Sequence, residues 1–131
     1  MVVGIGTDLV EIARIEVLYQ KHPSAFARRV LSSQELVDFS GHAQPVHFLA
    51  KRWAAKEAIS KALGTGFRQG VSFMDMTISH SPLGQPLIQL SGETAIIAHN
   101  QGIHHWSISL SDEKHYALAF VIAEKGASNP L

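Results

Sequence analysis

The sequence contains no cysteine. This absence excludes disulfide bonds, zinc–thiolate sites and thiol nucleophiles, and it suits a reducing cytoplasm. No apolar run approaches the roughly 18 residues that a membrane span requires, and the N-terminus lacks the basic and apolar segments of a signal peptide. The net charge is zero, which argues against a generic nucleic-acid binder. We therefore expect a cytoplasmic protein whose partners are neither membranes nor nucleic acids.

The chain has 131 residues, of which 46% are hydrophobic, and this suits one domain with its own core. The spacing of apolar residues predicts an α+β fold in which helices pack on a mostly antiparallel sheet. We expect one domain over residues 1–125 and a loose tail over 126–131. The first predicted elements are a strand at 1–10, helices starting near 11, 24 and 32, and a long helix over 46–63. Residues 32–35 (SSQE) resemble a capping box for the helix that starts near 32. A hairpin of strands 71–79 and 87–90, a helix over 91–100, and strands at 105–110 and 115–123 follow.

Asp8 interrupts the apolar first strand, within residues 4–12 (GIGTDLVEI). Burying even a neutral polar group without a partner costs on the order of 2–7 kcal/mol, and a charge costs more. A compensating group should therefore lie beside Asp8.

The long helix carries Trp53, Glu57 and Lys61 at a spacing of four residues, which places them on one face. Glu57 and Lys61 could simply form a helix salt pair worth about 0.2–0.5 kcal/mol. The same face is lined by Ala50, Ala54 and Ala58, so another backbone can approach it closely. Glu57 is then expected to be partly buried, with Asp8 packed nearby.

Two carboxylates in one pocket repel each other unless a cation lies between them. Asp8 and Glu57 are too few for a calcium cage, but they suit Mg²⁺, which keeps waters and takes further ligands from substrate phosphates. Lys61 would then direct a point charge at the same phosphates. A metal, a lysine and a positioned nucleophile are the parts needed for phosphoryl-type transfer.

Two motifs make the sequence recognisable. Residues 6–8 (GTD), near a strand end, and residues 53–61 (WAAKEAISK), with Trp53, Lys56, Glu57 and Lys61, resemble the signature of the phosphopantetheinyl transferase superfamily. The short chain with Asp8 near its N-terminus is similar to the holo-acyl-carrier-protein synthase branch of that family. The resemblance covers residues 2–124.

The resemblance implies that coenzyme A donates its 4′-phosphopantetheine arm to a serine of apo acyl carrier protein, in support of fatty acid biosynthesis. It implies Mg²⁺ held by Asp8 and Glu57 together with the pyrophosphate, and Lys61 in contact with the phosphates. It also implies a homotrimer with active sites at subunit interfaces, and coenzyme A near Pro86 in the turn over residues 83–86. The base that takes the serine proton is left open between Glu57 and a metal-positioned water. Relatives often carry a histidine at the position of Ser107, and we assign no histidine to coenzyme A.

A basic segment follows the first strand, and Glu16 is the only acid between residues 12 and 34. It is either a solvated helix face or a docking patch for an acidic partner. Acyl carrier proteins are acidic, and the resemblance implies docking on this segment through cations and apolar anchors. The docking residues expected on this basis are Arg14, Leu18, Lys21, Phe26 and Arg28, with Arg29 as a companion.

Two other functions remain open at this stage. The same carboxylates could serve a metal-dependent phosphohydrolase, although a basic helix and a protein substrate favour transfer. Alternatively, the chain could be a binding module for acidic proteins in which Glu57 and Lys61 form only a salt pair. In that case Asp8→Asn and Glu57→Gln would change neither binding nor activity.

Overall fold

The computed structural model describes residues 1–126. Within these residues, five strands and five α-helices follow one another in nearly the order that the sequence predicts. They are β1 (Val2–Glu11), α1 (Ile12–Lys21), α2 (Pro23–Val30), α3 (Ser33–Phe39), α4 (Pro45–Leu63), a 3₁₀ turn (Phe73–Asp75), β2 (Met76–His80), β3 (Pro86–Leu90), α5 (Gly92–Asn100), β4 (Ile103–Asp112) and β5 (Tyr116–Lys125). Apart from Gly126, the predicted tail lies outside the described residues.

The strands form two antiparallel sheets. One has the order β1-β5-β4, and the other is the β2-β3 hairpin. In β5 the even and odd positions differ in environment: the odd residues from Ala117 to Ala123 are fully buried, whereas Leu118 and Phe120 are exposed. The sheet therefore packs helices on one face only, and the α+β prediction is confirmed.

Helix α4 lies in the core, and Ala50, Ala54 and Ala58 on it have no exposed surface. The backbone of β1 passes directly over this helix at Gly4 and Gly6. A Cβ on Gly6 would lie 1.8 Å from the Ala58 carbonyl oxygen, a distance that no real contact allows. The close backbone approach expected from the alanines is thus made by β1, and it brings the residues after Gly6 against α4.

Two local predictions had different outcomes. Ser32 begins α3 with a capping box, since its side chain accepts from Glu35 N while the Glu35 carboxylate accepts from Ser32 N. The strand predicted over residues 71–79 is wrong in its first part, because residues 73–75 form a 3₁₀ turn. Ser72 Oγ caps this turn, and Asp75 accepts from Thr94 Oγ1 on α5 at 3.0 Å, a distant contact that periodicity does not reveal.

None of the helices within residues 1–126 has the length and apolar character needed to cross a membrane.

Candidate active site

Asp8 lies in the middle of β1, opposite Ala119 of β5. It is two residues from Gly6 and therefore points to the same side of the sheet, toward α4. Its side chain is only 16% exposed. The charge that the sequence places in this strand is therefore held between the sheet and α4.

Lys61, on the last turn of α4, compensates Asp8. Its ammonium group donates to Asp8 Oδ1 at 3.1 Å and to the Thr7 carbonyl at 2.9 Å. The helix ends immediately afterwards at Gly64, whose φ of +78° is the left-handed conformation that favours glycine. Within the described chain Lys61 forms its ion pair with Asp8 and not with Glu57. A local Glu–Lys helix pair therefore does not explain this face of α4.

Glu57 lies one turn before Lys61 and is half-buried. Burial raises its pKa, and the negative charge of Asp8 raises it further, while Lys61 and Arg14 act in the opposite direction. Asp8 is therefore close enough to oppose ionisation of Glu57. The structure brings Asp8, Glu57 and Lys61 together, with Arg14 as a charged neighbour.

The donor set at this site fits a hard cation that needs external ligands. In residues 1–126 no group of three or more His, Asp or Glu side chains could by itself hold a metal ion. Two carboxylates that repel each other still offer the partial coordination that Mg²⁺ accepts when phosphates and waters supply the rest. Any metal bound here would therefore depend on a phosphate-bearing substrate for full coordination.

Pro86, at the start of β3, lines a different part of the surface from Asp8, Glu57 and Lys61. It lines a cavity of about 250 Å³ together with Lys51, Arg52 and His80. None of Asp8, Glu57 and Lys61 lines that cavity. Within one chain, therefore, the structure does not bring Pro86 to the two carboxylates.

The expected docking residues fall into two groups. Arg14, Lys21 and Arg28 are exposed cations, and Leu18 is half-buried against the core. Phe26, in contrast, is only 8% exposed, and its ring stacks on Trp53 with the centroids 6.0 Å apart. Phe26 therefore offers a partner little area and supports Trp53 from beneath.

The Arg14 guanidinium connects the docking region to the carboxylates. It lies 5.8 Å from the centroid of the Trp53 ring and also acts electrostatically on Glu57. The exposed basic face of α1 is therefore contiguous with the carboxylate site.

Sequence reasoning missed a second charged cluster, formed by Glu35, Arg52 and Lys56. All three side chains are buried, and Lys56 and Glu35 have no exposed surface. Burial lowers the pKa of Lys56, and the Glu35 charge opposes that change. A signal was available, because Arg52 and Lys56 lie four residues apart beside the apolar stripe of α4. Buried cations at such positions need an anionic partner.

Comparison with known proteins agrees with these features. The family model described as "4′-phosphopantetheinyl transferase superfamily" matches residues 4–121. A holo-[acyl-carrier-protein] synthase of Hydrogenovibrio crunogenus is 68% identical over 124 residues, which cover 95% of this chain and 98% of that protein.

Solved structures show the same similarity. The holo-[acyl-carrier-protein] synthase of Neisseria meningitidis matches with a TM-score of 0.91 and 47% identity, over 95% of this chain and 100% of that one. The Helicobacter pylori enzyme in complex with coenzyme A matches with a TM-score of 0.80 and 38% identity, over 92% and 99% of the two chains. The chain, with its paired carboxylates on β1 and α4, therefore belongs to the 4′-phosphopantetheinyl transferase superfamily.

Proposed function

We propose that this protein is a holo-acyl-carrier-protein synthase, which transfers 4′-phosphopantetheine from coenzyme A to a serine of apo acyl carrier protein. The observation that carries the proposal is the convergence of Asp8, Glu57 and Lys61 beside an exposed basic helix, in a chain similar over most of its length to enzymes of that name. Fatty acid biosynthesis in the cytoplasm is the setting that we propose.

The reaction exchanges one phosphorus–oxygen bond for another. The serine hydroxyl attacks the β-phosphorus of coenzyme A and loses its proton. The bond from that phosphorus to the bridging oxygen breaks, and adenosine 3′,5′-bisphosphate leaves with the electron pair. A bound Mg²⁺ would neutralise charge on the pyrophosphate and orient it.

The chain's own residues have distinct roles in this reaction. Asp8 and Glu57 would hold the cation, and Lys61 would donate to phosphate oxygens in place of its contact with Asp8. Glu57 and a metal-positioned water are the two candidate acceptors of the serine proton. Catalysis would consist mainly of positioning and charge stabilisation, as is usual in phosphoryl transfer.

The proposed docking surface is the exposed face formed by Arg14, Leu18, Lys21 and Arg28, with Phe26 supporting Trp53 below it. Its positive charge complements an acidic carrier. Arg28 also lines a cavity of about 340 Å³ beside Tyr19 and Phe39, which could accept an apolar carrier side chain. Because Arg14 neighbours Glu57, a carrier bound here would present its serine close to the carboxylates.

We also propose a homotrimer with active sites at subunit interfaces. The support is the uncovered face of the three-stranded sheet, where large apolar residues are exposed: Ile5 57%, Leu9 62%, Leu118 42% and Phe120 41%. Leu9 lies opposite Leu118 in the register, so the patch is continuous across β1 and β5. Patches of this kind on soluble proteins mark interaction sites.

A trimer would also explain the position of Pro86. Its cavity, with Lys51, Arg52 and His80, could contact coenzyme A bound to the carboxylates of a neighbouring subunit. Sedimentation analysis should give a trimer, and Leu118→Glu should give monomers that lack transferase activity. A monomeric wild-type protein with full activity would reject this part of the proposal.

The function is tested by incubating the protein with apo carrier protein, coenzyme A and Mg²⁺ and measuring the intact mass of the carrier. A gain of one phosphopantetheine group that is abolished by a chelator, and by replacing the carrier serine with alanine, supports transfer. Hydrolysis of coenzyme A without carrier modification would support a phosphohydrolase. Carrier binding without either reaction would support a binding module.

A further inference from the structure

Two features of the sequence have no role in the proposed chemistry: the capping box of α3 and Lys56 of the α4 motif. In the structure they meet, because the Lys56 ammonium group donates to Glu35 Oε1. Both side chains are fully buried. The lysine next to Glu57 in the motif therefore points away from the carboxylate site and into the interior.

The Lys56 ammonium group has three acceptors, which come from three different segments. Besides Glu35 it donates to the Val30 carbonyl at 2.7 Å and to the Phe73 carbonyl at 3.1 Å. Val30 is the last residue of α2, and Phe73 begins the 3₁₀ turn. One group on α4 thus holds α2, α3 and the 3₁₀ turn in place.

Glu35 is held just as firmly. Its carboxylate accepts from Ser32 N at 2.9 Å and from Ile78 N at 3.0 Å. Arg52 Nε lies 3.1 Å from Glu35 Oε2 as an ion pair, although the geometry is not that of a hydrogen bond. The cluster therefore contains two cations and one anion, and Glu35 keeps a charged partner even if Lys56 is replaced.

Two of the three segments that Lys56 holds, α2 and the 3₁₀ turn, also support Trp53. From α2, Phe26 stacks on the Trp53 ring, and from the 3₁₀ turn Phe73 meets it edge-on with the centroids 5.3 Å apart. The Arg14 guanidinium of the docking face also lies over the indole ring, 5.8 Å from its centroid. Lys56 is therefore connected to the docking surface through Trp53, which contacts both Phe26 and Phe73.

We propose that Lys56, anchored by Glu35, is a positioning residue: it fixes α2 and the 3₁₀ turn around Trp53, so that a docked carrier protein presents its serine to the carboxylate site. This inference rests on the proposed transferase function. A buried ion pair is by itself weak evidence for stability, since apolar replacements are often equally stable. The contacts of Lys56 fit a role in setting geometry between elements, where a displacement of about 1 Å can cost about 100-fold in rate.

The test compares Lys56→Met and Lys56→Gln with wild type, and Lys114→Met is the control. Lys114 is an exposed lysine between β4 and β5, outside the proposed site. For each protein, folding is checked by circular dichroism and thermal denaturation. Transfer rates are then measured well below the melting temperature, with coenzyme A and carrier protein varied separately. Wild-type activity is measured first, because an inactive wild type would reject the proposed function itself.

Positioning predicts that folded Lys56→Met loses about 100-fold in kcat/KM for the carrier, while KM for coenzyme A stays within about twofold of wild type. Lys56→Gln, which keeps a shorter donor, should lie between the two. A KM for coenzyme A outside that range, or a loss that only follows the folded fraction, would overturn the inference while leaving the transferase function intact. Failure of both variants to fold would make Lys56 a folding determinant only, and would also overturn it.

Discussion

Lys61 Nζ lies 3.1 Å from Asp8 Oδ1, so the ammonium group at the end of α4 neutralises a carboxylate that is 53 residues earlier in the chain. The Lys61 side chain is 50% exposed and that of Asp8 is 16% exposed. Because the lysine end of the pair is open to water, solvent screening keeps its contribution near the ~0–1 kcal/mol of surface pairs. The pair is therefore weak enough to open when a phosphate enters the site. The catalytic role of Lys61 can for this reason be tested separately from its effect on stability.

Lys61→Met tests that separation. We expect a modest fall in melting temperature, because Lys61 is half exposed but its removal leaves the mostly buried Asp8 carboxylate without this partner. We expect kcat to fall by about 100-fold, the lower end of the effect of removing one preorganised charge stabiliser. Steady-state kinetics alongside thermal denaturation provide the measurement, with Lys125→Met as a control on an exposed lysine of β5. Wild-type kcat in Lys61→Met would show that this lysine does not stabilise charge on the phosphates.

Glu57→Gln should stabilise the protein in the absence of metal and abolish its stabilisation by metal. Because the pKa of Glu57 is raised in the folded chain, this residue favours folding only while it is protonated. Its contribution is lost as pH rises through the folded pKa, whereas the glutamine has no proton to lose and stays neutral. Melting curves at neutral pH, with and without Mg²⁺ and coenzyme A, test this. Glu93→Gln on α5 should behave like wild type, and a Glu57→Gln variant that Mg²⁺ still stabilises fully would contradict metal ligation.

The same raised pKa predicts the pH dependence of transfer. Below that pKa Glu57 carries a proton and cannot bind a cation, so kcat/KM should rise with pH until the pKa is passed. The midpoint should lie above that of an ordinary glutamate, because burial and Asp8 both disfavour the charged form. Raising the Mg²⁺ concentration should shift the midpoint to lower pH, since the metal competes with the proton. A midpoint that does not respond to Mg²⁺ would separate the titration from metal binding.

Arg14→Glu should raise KM for the carrier protein and leave KM for coenzyme A unchanged. Arg14 is exposed on α1 and lies over Trp53, so charge reversal would repel an acidic partner without disturbing the core. The effect should weaken as ionic strength rises, because salt screens exposed charges. Lys114→Glu is the control with the same change of charge. An unchanged carrier KM would remove Arg14 from the docking surface.

Gly6→Ala should disrupt the contact on which the site is built. The added Cβ would meet the Ala58 carbonyl oxygen at 1.8 Å, and the backbone of β1 would have to move away from α4. Overpacking of this kind costs about 1–3 kcal/mol or more. Gly41→Ala is the comparison, since that glycine has a φ of +75° but open space around it, so its cost is about 1–2 kcal/mol of strain. Denaturant unfolding should rank Gly6→Ala as the more damaging change.

The parts of the fold that follow local rules were predictable from the sequence. The capping box at Ser32, the long helix ending before Gly64 and the hairpin around residues 81–85 depend on residues close together in the chain. The strand expected at residue 71 failed, because Asp75 is held by Thr94, a partner 19 positions away. Local patterns of apolar residues do not reveal contacts between residues so far apart in the sequence.

The candidate site divides in the same way. Asp8 and Glu57 could be paired from the sequence, since each was a charge in apolar surroundings that required compensation. The partners of Lys56 could not, because its three acceptors lie 17 to 26 residues away. The opposite directions of Lys56 and Lys61 follow from the helical period, but the partner of each is set by tertiary packing.

The central claim is that Asp8 and Glu57 jointly hold one divalent cation together with the diphosphate of coenzyme A. The most direct test is anomalous diffraction from crystals grown with coenzyme A and Mn²⁺, which prefers the same octahedral oxygen sites as Mg²⁺. We predict one anomalous peak about 2.1 Å from a carboxylate oxygen of each residue and from a phosphate oxygen. A peak that contacts only one of the two carboxylates, or coenzyme A bound with no cation between them, would contradict the claim.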